Sequence, residues 1–420
     1  MACTSNRHGP TTHRPAPLPP ENSLETEWTP DLEHWIRQHA LHIGFDAAAI
    51  ARVASPDPAQ PTLDATRFAD WVEAGRAGEM DYLKRRDDQG LLLRSEVQIA
   101  LPWARSVLVC ALNYNAAAPR SIDPAAPGTG WIARYAWSGK PTPASCEGDP
   151  TTLLPTDYHD ELLRRLRLLE SHLTARIPCQ TRCYVDTGPL VERTAAARAG
   201  LGWIGKNACL INQQLGSWLL LAVIVTSLPV AADLTLQPAA DRCGSCTRCL
   251  DACPTNALIA PHQMDASLCI SYLTIEKKRS IPTDLRAPIG RQIFGCDICQ
   301  DVCPWNRRAP IAAHDNMSPR PELINPSLES LAALDNPAFK RLFKGSPLER
   351  TGKKRLHRNV AIAMGNSRDE QFLPRLRAWQ TAEDPILAET ATWAIDRILN
   401  SANPSAAREE PRNTPLLASP

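Results

Sequence analysis

Eight of the chain's 14 cysteines fall between positions 243 and 303. Cys243-x2-Cys246-x2-Cys249-x3-Cys253-Pro254 has the spacing of the bacterial ferredoxin run that binds [4Fe–4S] clusters. Thiolates are soft, anionic ligands suited to iron–sulfur cubanes. Two-residue spacers let three sulfurs converge on one cubane from a tight loop, and the displaced fourth cysteine points to another. A second run, Cys296-x2-Cys299-x3-Cys303-Pro304, lacks one ferredoxin cysteine, and Cys269 brings the total to eight. The count predicts two cubanes. We assign Cys243, Cys246, Cys249 and Cys303 to one, and Cys253, Cys269, Cys296 and Cys299 to the other. C-x2-C knuckles also hold zinc, but two mirrored Cys-Pro endings favour iron–sulfur. Cys3, Cys110, Cys146, Cys179, Cys183 and Cys209 lack ligand spacing and read mostly as unremarkable thiols.

Two cubanes in series move single electrons without choosing a substrate, so the acceptor belongs elsewhere in the chain. Residues 186–207 carry Gly200-x-Gly202-x-x-Gly205, a match to the dinucleotide fingerprint as a string. A Rossmann loop follows a strand, whereas Glu192–Ala199 reads as a helix. No acid stands near Val225 to hold a ribose. The three glycines instead suggest a backbone passing close to a flat, bulky ligand, with donors from Lys206 and Asn207. Asp186 precedes a Thr-Gly-Pro turn. It suits an Asx-turn or helix cap. It also suits a proton-donating acid, which would need burial to raise its pKa toward neutrality.

Elements that could position these residues alternate along the chain. Helical spacing begins near Asp31, recurs at Ala65–Ala74, and is clear over Asp160–Ile177 and Val191–Ala199. Ser106–Leu112 and residues 219–227 read as buried strands, and Tyr184–Asp186 as a strand end. The pattern predicts an α/β domain over residues 28–240. A cysteine-rich module over 241–310 follows, then a helical region over 311–402. There, 353–366 and 381–399 read as paired amphipathic helices of a solenoid type. Residues 138–156 read as a long surface loop. The Pro-rich ends, 1–27 and 403–420, read as disordered tails.

Of the 420 residues 43% are hydrophobic and 22% charged, which suits a largely globular chain. A net charge of +1 excludes a polybasic protein, so any basic site is local. Neither an export signal nor a membrane-length apolar run is legible. Clustered cysteines without such a signal predict a cytoplasmic protein with no membrane partner.

The run VDTGPLVERTAAARAGLGWIGKN (185–207), the cysteine spacing, SYLTIEKKR (271–279) and IFGCDICQDVCPWN (293–306) together resemble the epoxyqueuosine reductase family. The likeness spans about residues 30 to 400. It implies two-electron reduction of epoxyqueuosine to queuosine at the tRNA wobble position, the last step of queuosine synthesis, through cob(I)alamin. It further implies two [4Fe–4S] clusters and an unidentified electron donor. The implied fold is a nitroreductase-like α/β cobalamin domain, a ferredoxin-like two-cluster module and a C-terminal HEAT-like repeat, in a monomer. The family's catalytic acid corresponds to Asp186, and its corrin-adjacent segment to Gly205, Lys206 and Asn207. The D-x-H-x-x-G signature fails at Leu162, after Asp157-Tyr158-His159, which implies base-off cobalamin with no histidine ligand. An insertion near 138–155 separates Ala133-Arg134-Tyr135-Ala136 from Asp157-Tyr158-His159, where the family runs the two close together.

An RNA partner requires a basic patch. Residues 340–358 hold eight Lys and Arg against Glu349, and 277–279 hold three more. From these we expect RNA contacts at Lys277, Lys278, Lys353, Lys354, Arg355 and Arg358. The competing readings are a reductive dehalogenase, a ferredoxin-type electron carrier, and an RNA-binding helical repeat with structural clusters.

Overall fold

The computed structural model describes residues 26–53, 61–142 and 153–401. The expected terminal tails, apart from Thr26 and Glu27, lie outside the described residues, as does the middle of the 138–155 insertion. Helix α1 (Pro30–Ile43) starts on a Thr29 cap with Pro at its first position, and ends on Gly44 in the left-handed conformation. Strand β1 (Ala47–Arg52) follows, then α2 (Leu63–Glu73), β2 (Ser106–Asn113), α3 (Tyr158–Arg176), β3 (Thr181–Tyr184), α4 (Glu192–Arg198) and β4 (Leu219–Thr226). The strands form one sheet in the order β1-β2-β4-β3.

Every pairing in this sheet is antiparallel. Helix–strand alternation ordinarily accompanies a parallel sheet; here the connections return each strand against its neighbour. Alternate residues still separate the two faces. Leu108, Cys110, Leu112, Ala222 and Ile224 pack against Leu32 and Ile36 of α1 and the leucines of α3. Val107, Val109, Val223 and Val225 pack against Ala195 and Ala196 of α4. Helices therefore cover both faces, which fixes the start of α3 and the turn before α4 at one end of the sheet.

The cysteine module is fastened to this domain by backbone and acids. Gln292–Phe294 pairs in parallel with Trp131–Ile132. The acids within the second cysteine run act as clamps: Asp297 accepts from the Arg134 amide (2.7 Å), and Asp301 accepts from the Ser121 amide and hydroxyl (2.8 and 2.7 Å).

Five helices follow: α5 (Leu328–Ala332), α6 (Asn336–Phe343), α7 (Gly352–Ser367), α8 (Leu373–Gln380) and α9 (Pro385–Ser401). Helix α7 is buried without interruption from Leu356 to Gly365, so it is a central helix rather than an amphipathic one. A Cβ at Gly365 would stand 2.8 Å from the Ala394 Cα, which explains the small residue where α7 crosses α9. The second expected helix begins at Pro385 rather than 381, because Pro occupies its first turn. Helix α8 between them had not been anticipated. The helical core also contains Ile132, Trp137, Ile293 and Phe294, so the α/β domain, the cysteine module and the helical region share apolar packing.

The described ends of the insertion are not loop. Ser138–Pro141 pairs antiparallel with Leu153–Pro155, and Ser318–Pro319 adds a third strand. Among the described residues no helix is long and apolar enough to cross a membrane.

Candidate active site

Asp186 sits on the turn between β3 and α4 with a φ of 57°. Asp is among the few side-chain-bearing residues that enter this left-handed region readily. The turn is held from three sides. The Asp186 amide donates to Glu192 Oε1 (2.7 Å), its carbonyl accepts from Arg94 Nη2 (2.9 Å), and its carboxylate accepts from the Tyr158 hydroxyl. His159 Nε2 lies 3.4 Å from the same carboxylate, and His159 Nδ1 lies 2.6 Å from Asp157. Asp157 caps α3, which places Tyr158 and His159 at the helix start and turns them toward Asp186.

This arrangement revises the expected electrostatics. Burial would raise the Asp186 pKa, but hydrogen bonds from His159 and Tyr158 outweigh it and hold the carboxyl below its ordinary range. Burial opposes a charge on His159, yet its bonds to Asp157 and Asp186 push it up to about 9. Glu192 is pushed well above the usual carboxylate range by burial and by the Asp186 charge. The surroundings thus favour the charged forms of His159 and Asp186 and the neutral form of Glu192. The expectation that Asp186 is itself raised is corrected: a cation next to a carboxylate favours the ionised form.

Asp186, Tyr158 and Glu192 line a cavity of about 1010 Å³. This lies at the upper end of the roughly 300 to 1,000 Å³ that pockets for drug-sized ligands span. Across it stand Tyr114, Cys209, Ser217, Leu219 and Gln300. Cys209 sulfur lies 3.7 Å from Gln300 Oε1 and within hydrogen-bond range of the Cys299 thiol. One wall of the cavity thus abuts the cysteine module.

In the glycine segment a Cβ at Gly202 would stand 2.2 Å from the Ile211 carbonyl oxygen, and one at Gly205 would stand 2.4 Å from Ile211 Cδ1. These glycines admit the chain's own strand. Lys206 donates to the carbonyls of Gly244 and Cys246 (2.6 and 3.0 Å). The Asn207 side chain reaches the Cys299 carbonyl (3.5 Å) and accepts from the Cys209 amide (3.2 Å). Their donors brace the cysteine loops, while Ile204, Ala208 and Cys209 on either side line the cavity.

The eight clustered cysteines gather in two groups. Cys243 and Cys246 act on Cys249, and Cys243 and Cys249 act on Cys303, whose thiol burial pushes up to about 11. Cys253 acts on Cys269, Cys253 and Cys269 act on Cys296, and Cys269 and Cys296 act on Cys299. Burial holds the Cys249, Cys269, Cys296 and Cys303 thiols above their ordinary range. Cluster assembly would have to release their protons.

The expected basic patch divides. Arg358 is 1% exposed, and its guanidinium donates to the carbonyls of Leu273, Lys277 and Arg279 and to Asn359. Arg355 donates to the carbonyls of Thr351, Ile275 and Arg350. Lys277 pairs with Glu79 at 2.6 Å. These three fasten α7 and the segment after Tyr272 to the body of the protein, and Arg358, buried with all its guanidinium donors engaged, has none left for RNA, which corrects its expected role. Lys278 and Lys354 are exposed and Lys353 is half-buried.

Sequence reasoning passed over Tyr158, His159, Glu192, Arg94 and Cys209. The adjacent polar trio Asp157-Tyr158-His159 at the start of an apolar helix was the available signal for two of them. The others act through tertiary contacts that no local pattern records.

An acid charged from a neighbouring imidazolium and a cysteine-rich module border one large, partly open cavity, which defines an iron–sulfur oxidoreductase. The model of the 4Fe-4S double cluster binding domain matches residues 242–306, and that of "Epoxyqueuosine reductase QueG, DUF1730" matches residues 94–187. The chain is 36% identical to an epoxyqueuosine reductase of Xanthomonas campestris pv. campestris over 86% of this chain and 94% of that one. It is 34% identical to the Escherichia coli K12 epoxyqueuosine reductase over 89% and 91%. An epoxyqueuosine reductase crystallised with a tRNA-Tyr epoxyqueuosine-modified stem loop superposes with a TM-score of 0.73 at 32% identity, covering 90% and 95% of the two chains. The chain belongs to the epoxyqueuosine reductase family. It is an oxidoreductase with a 4Fe–4S double-cluster domain, which sets aside the dehalogenase, carrier and structural-repeat readings.

Proposed function

We propose that this chain reduces epoxyqueuosine to queuosine in the wobble position of a tRNA, with Asp186 as proton donor. The reaction removes the epoxide oxygen as water and leaves an alkene, consuming two electrons and two protons. The observation that carries this reading is the shared cavity: Asp186 with its proton source on one side, the wall beside Cys299 on the other. His159 Nε2 holds the proton nearest Asp186 Oδ2. In this reading that proton passes from His159 Nε2 to Asp186 Oδ2 and from there to the opening oxygen, and the second proton comes from solvent. Tyr158 and the Glu192–amide contact keep the carboxylate aimed while the proton moves.

The cavity's size, its single-sided contact with the cysteine module and its mixed polar lining fit a corrinoid. Tyr114, Arg193, Ser217 and Leu219 would hold it, and Gly205, Lys206 and Asn207 would support it indirectly through the loops they brace. Bound cobalamin, taken base-off, supplies a strongly reducing, nucleophilic metal centre, and the clusters supply single electrons. Both nitrogens of His159 are engaged by Asp157 and Asp186, which is in keeping with a base-off cofactor. We take Cys243, Cys246, Cys249 and Cys303 as ligands of one cluster, and Cys253, Cys269, Cys296 and Cys299 as ligands of the other; the neighbour relations of the thiols support this division. We read the first domain as nitroreductase-like and the helical region as HEAT-like. We read the chain as a cytoplasmic monomer supplied by a separate electron donor.

The crystallised relative with its modified stem loop supports an RNA substrate. Lys278, Lys353, Lys354 and the exposed Lys340, Arg341 and Lys344 of α6 and its end are the cations we assign to its backbone. A Bacillus subtilis relative, solved with a catalytic Asp loop swung out of the active site, is in keeping with Asp186 acting from a turn. The test is Asp186→Asn in protein with full iron and corrinoid content. Turnover of modified stem loop, followed by nucleoside analysis, should fall by about 10² or more. Wild-type turnover would remove Asp186 from the reaction.

A further inference from the structure

Among the large exposed apolar side chains of the described residues, Tyr82 is the one aromatic, at 47% exposed. It sits on a short 3-10 turn, Asp81–Leu83, outside the residues that line the cavity but next to Leu83 in sequence, which does line it. The Arg94 guanidinium lies 5.5 Å from the centre of the Tyr82 ring, and the same group donates to the Asp186 carbonyl. One arginine thus ties the exposed ring to the turn that carries the acid. Tyr82 therefore stands beside the turn that carries Asp186.

The segment beneath the ring is rigid. The Glu79 amide donates to the Tyr272 hydroxyl (2.8 Å), Glu79 pairs with Lys277, and Lys84 Nζ donates to the Gly78 carbonyl (2.5 Å). Met80 and Leu83 pack with Ile270 and Tyr272. An aromatic ring on a fixed support, backed by a cation and open to solvent, presents a flat face that loses little entropy on contact. Unstacked RNA bases seek such faces. A base extruded toward Asp186 leaves its neighbour in the loop without a stacking partner on that side.

We infer that Tyr82 is a stacking platform for the nucleobase flanking the modified one in the anticodon loop. This inference rests on the RNA-substrate reading above and adds to it which side chain receives the neighbouring base. Stacking on one aromatic is worth about 1–3 kcal/mol, which is about 5- to 150-fold in binding. The experiment uses the cofactor-loaded enzyme and modified stem loops carrying 2-aminopurine on either side of the modified nucleotide. Wild-type protein should quench one of the two probes. Tyr82→Ala should abolish that quenching and raise KM about 5- to 150-fold with kcat within about twofold. Tyr82→Phe and Tyr82→Trp should retain both the quenching and KM, which separates stacking from loss of the hydroxyl or of the fold. Unchanged KM and quenching in Tyr82→Ala overturns this inference and leaves the reductase reading intact. Wild-type protein that neither binds nor converts the stem loop overturns both.

Discussion

Replacing His159 with Gln tests the proton source directly. The ring's pKa rises from 6.5 to about 9 in the folded protein. At about 1.36 kcal/mol per pH unit, this is about 3 kcal/mol of preference for the charged ring. Two carboxylates share it. Asp157 is the closer at 2.6 Å and Asp186 the further at 3.4 Å, so by inverse distance roughly two-fifths, about 1.3 kcal/mol, belongs to the Asp186 contact. His159→Gln should therefore slow turnover about five- to tenfold through loss of that contact, and further where proton resupply limits the rate. The pH dependence carries the sharper signature. Because the folded pKa is raised, the stabilisation is complete below about pH 6.5 and is lost as the pH climbs through about 9. Wild-type turnover and thermal stability should both decline toward pH 9, and the variant should show neither decline. The assay is nucleoside analysis of treated stem loop across pH 6 to 10 under saturating reductant, beside thermal melts of the same samples. A variant that retains a limb near pH 9 at wild-type rate would refute the proton-source argument.

Further predictions concern the clusters and the basic residues. Cys303→Ser should lower bound iron from about eight to about four per chain, since each cubane holds four irons; an undiminished iron content would contradict the assignment of Cys303. Arg358→Met leaves three carbonyls without their donor, that of Leu273 buried and those of Lys277 and Arg279 part-buried. It should destabilise the protein by about 3 kcal/mol or more, read as a lowered melting temperature, because unsatisfied buried groups retain their desolvation penalty. Lys354→Ala, on the exposed side of α7, should leave the melting temperature unchanged while weakening stem-loop binding, with the log–log salt slope reduced by about one. Equal effects of these two substitutions on stability would undo the division of the patch into fastening and RNA-facing residues.

The cysteine runs were legible because ligand spacing is a local property of a loop: two-residue gaps bring thiolates to one side whatever the rest of the chain does. The buried strands Ser106–Asn113 and Leu219–Thr226 and the long helix Tyr158–Arg176 were legible for a similar reason, since period and burial go together along a single element. Asp186 was identifiable as an acid at a strand end, and the resemblance gave it a role. Its charge state was not legible, because that depends on His159, which lies 27 residues earlier and meets it only when α3 packs on the sheet. The antiparallel sheet was hidden because strand direction is a long-range choice. Net charge along a segment likewise said nothing of which cations are spent. Arg355 and Arg358 carry the same charge as Lys354, but helix geometry turns them inward onto carbonyls of the module and leaves the lysine in solvent. Sequence alone thus determined which chemistry the chain can perform, through residue types and short spacings. Tertiary structure decided which groups meet, because hydrogen bonds and electrostatic shifts act over a few ångströms and those distances are set by packing between elements far apart in the chain.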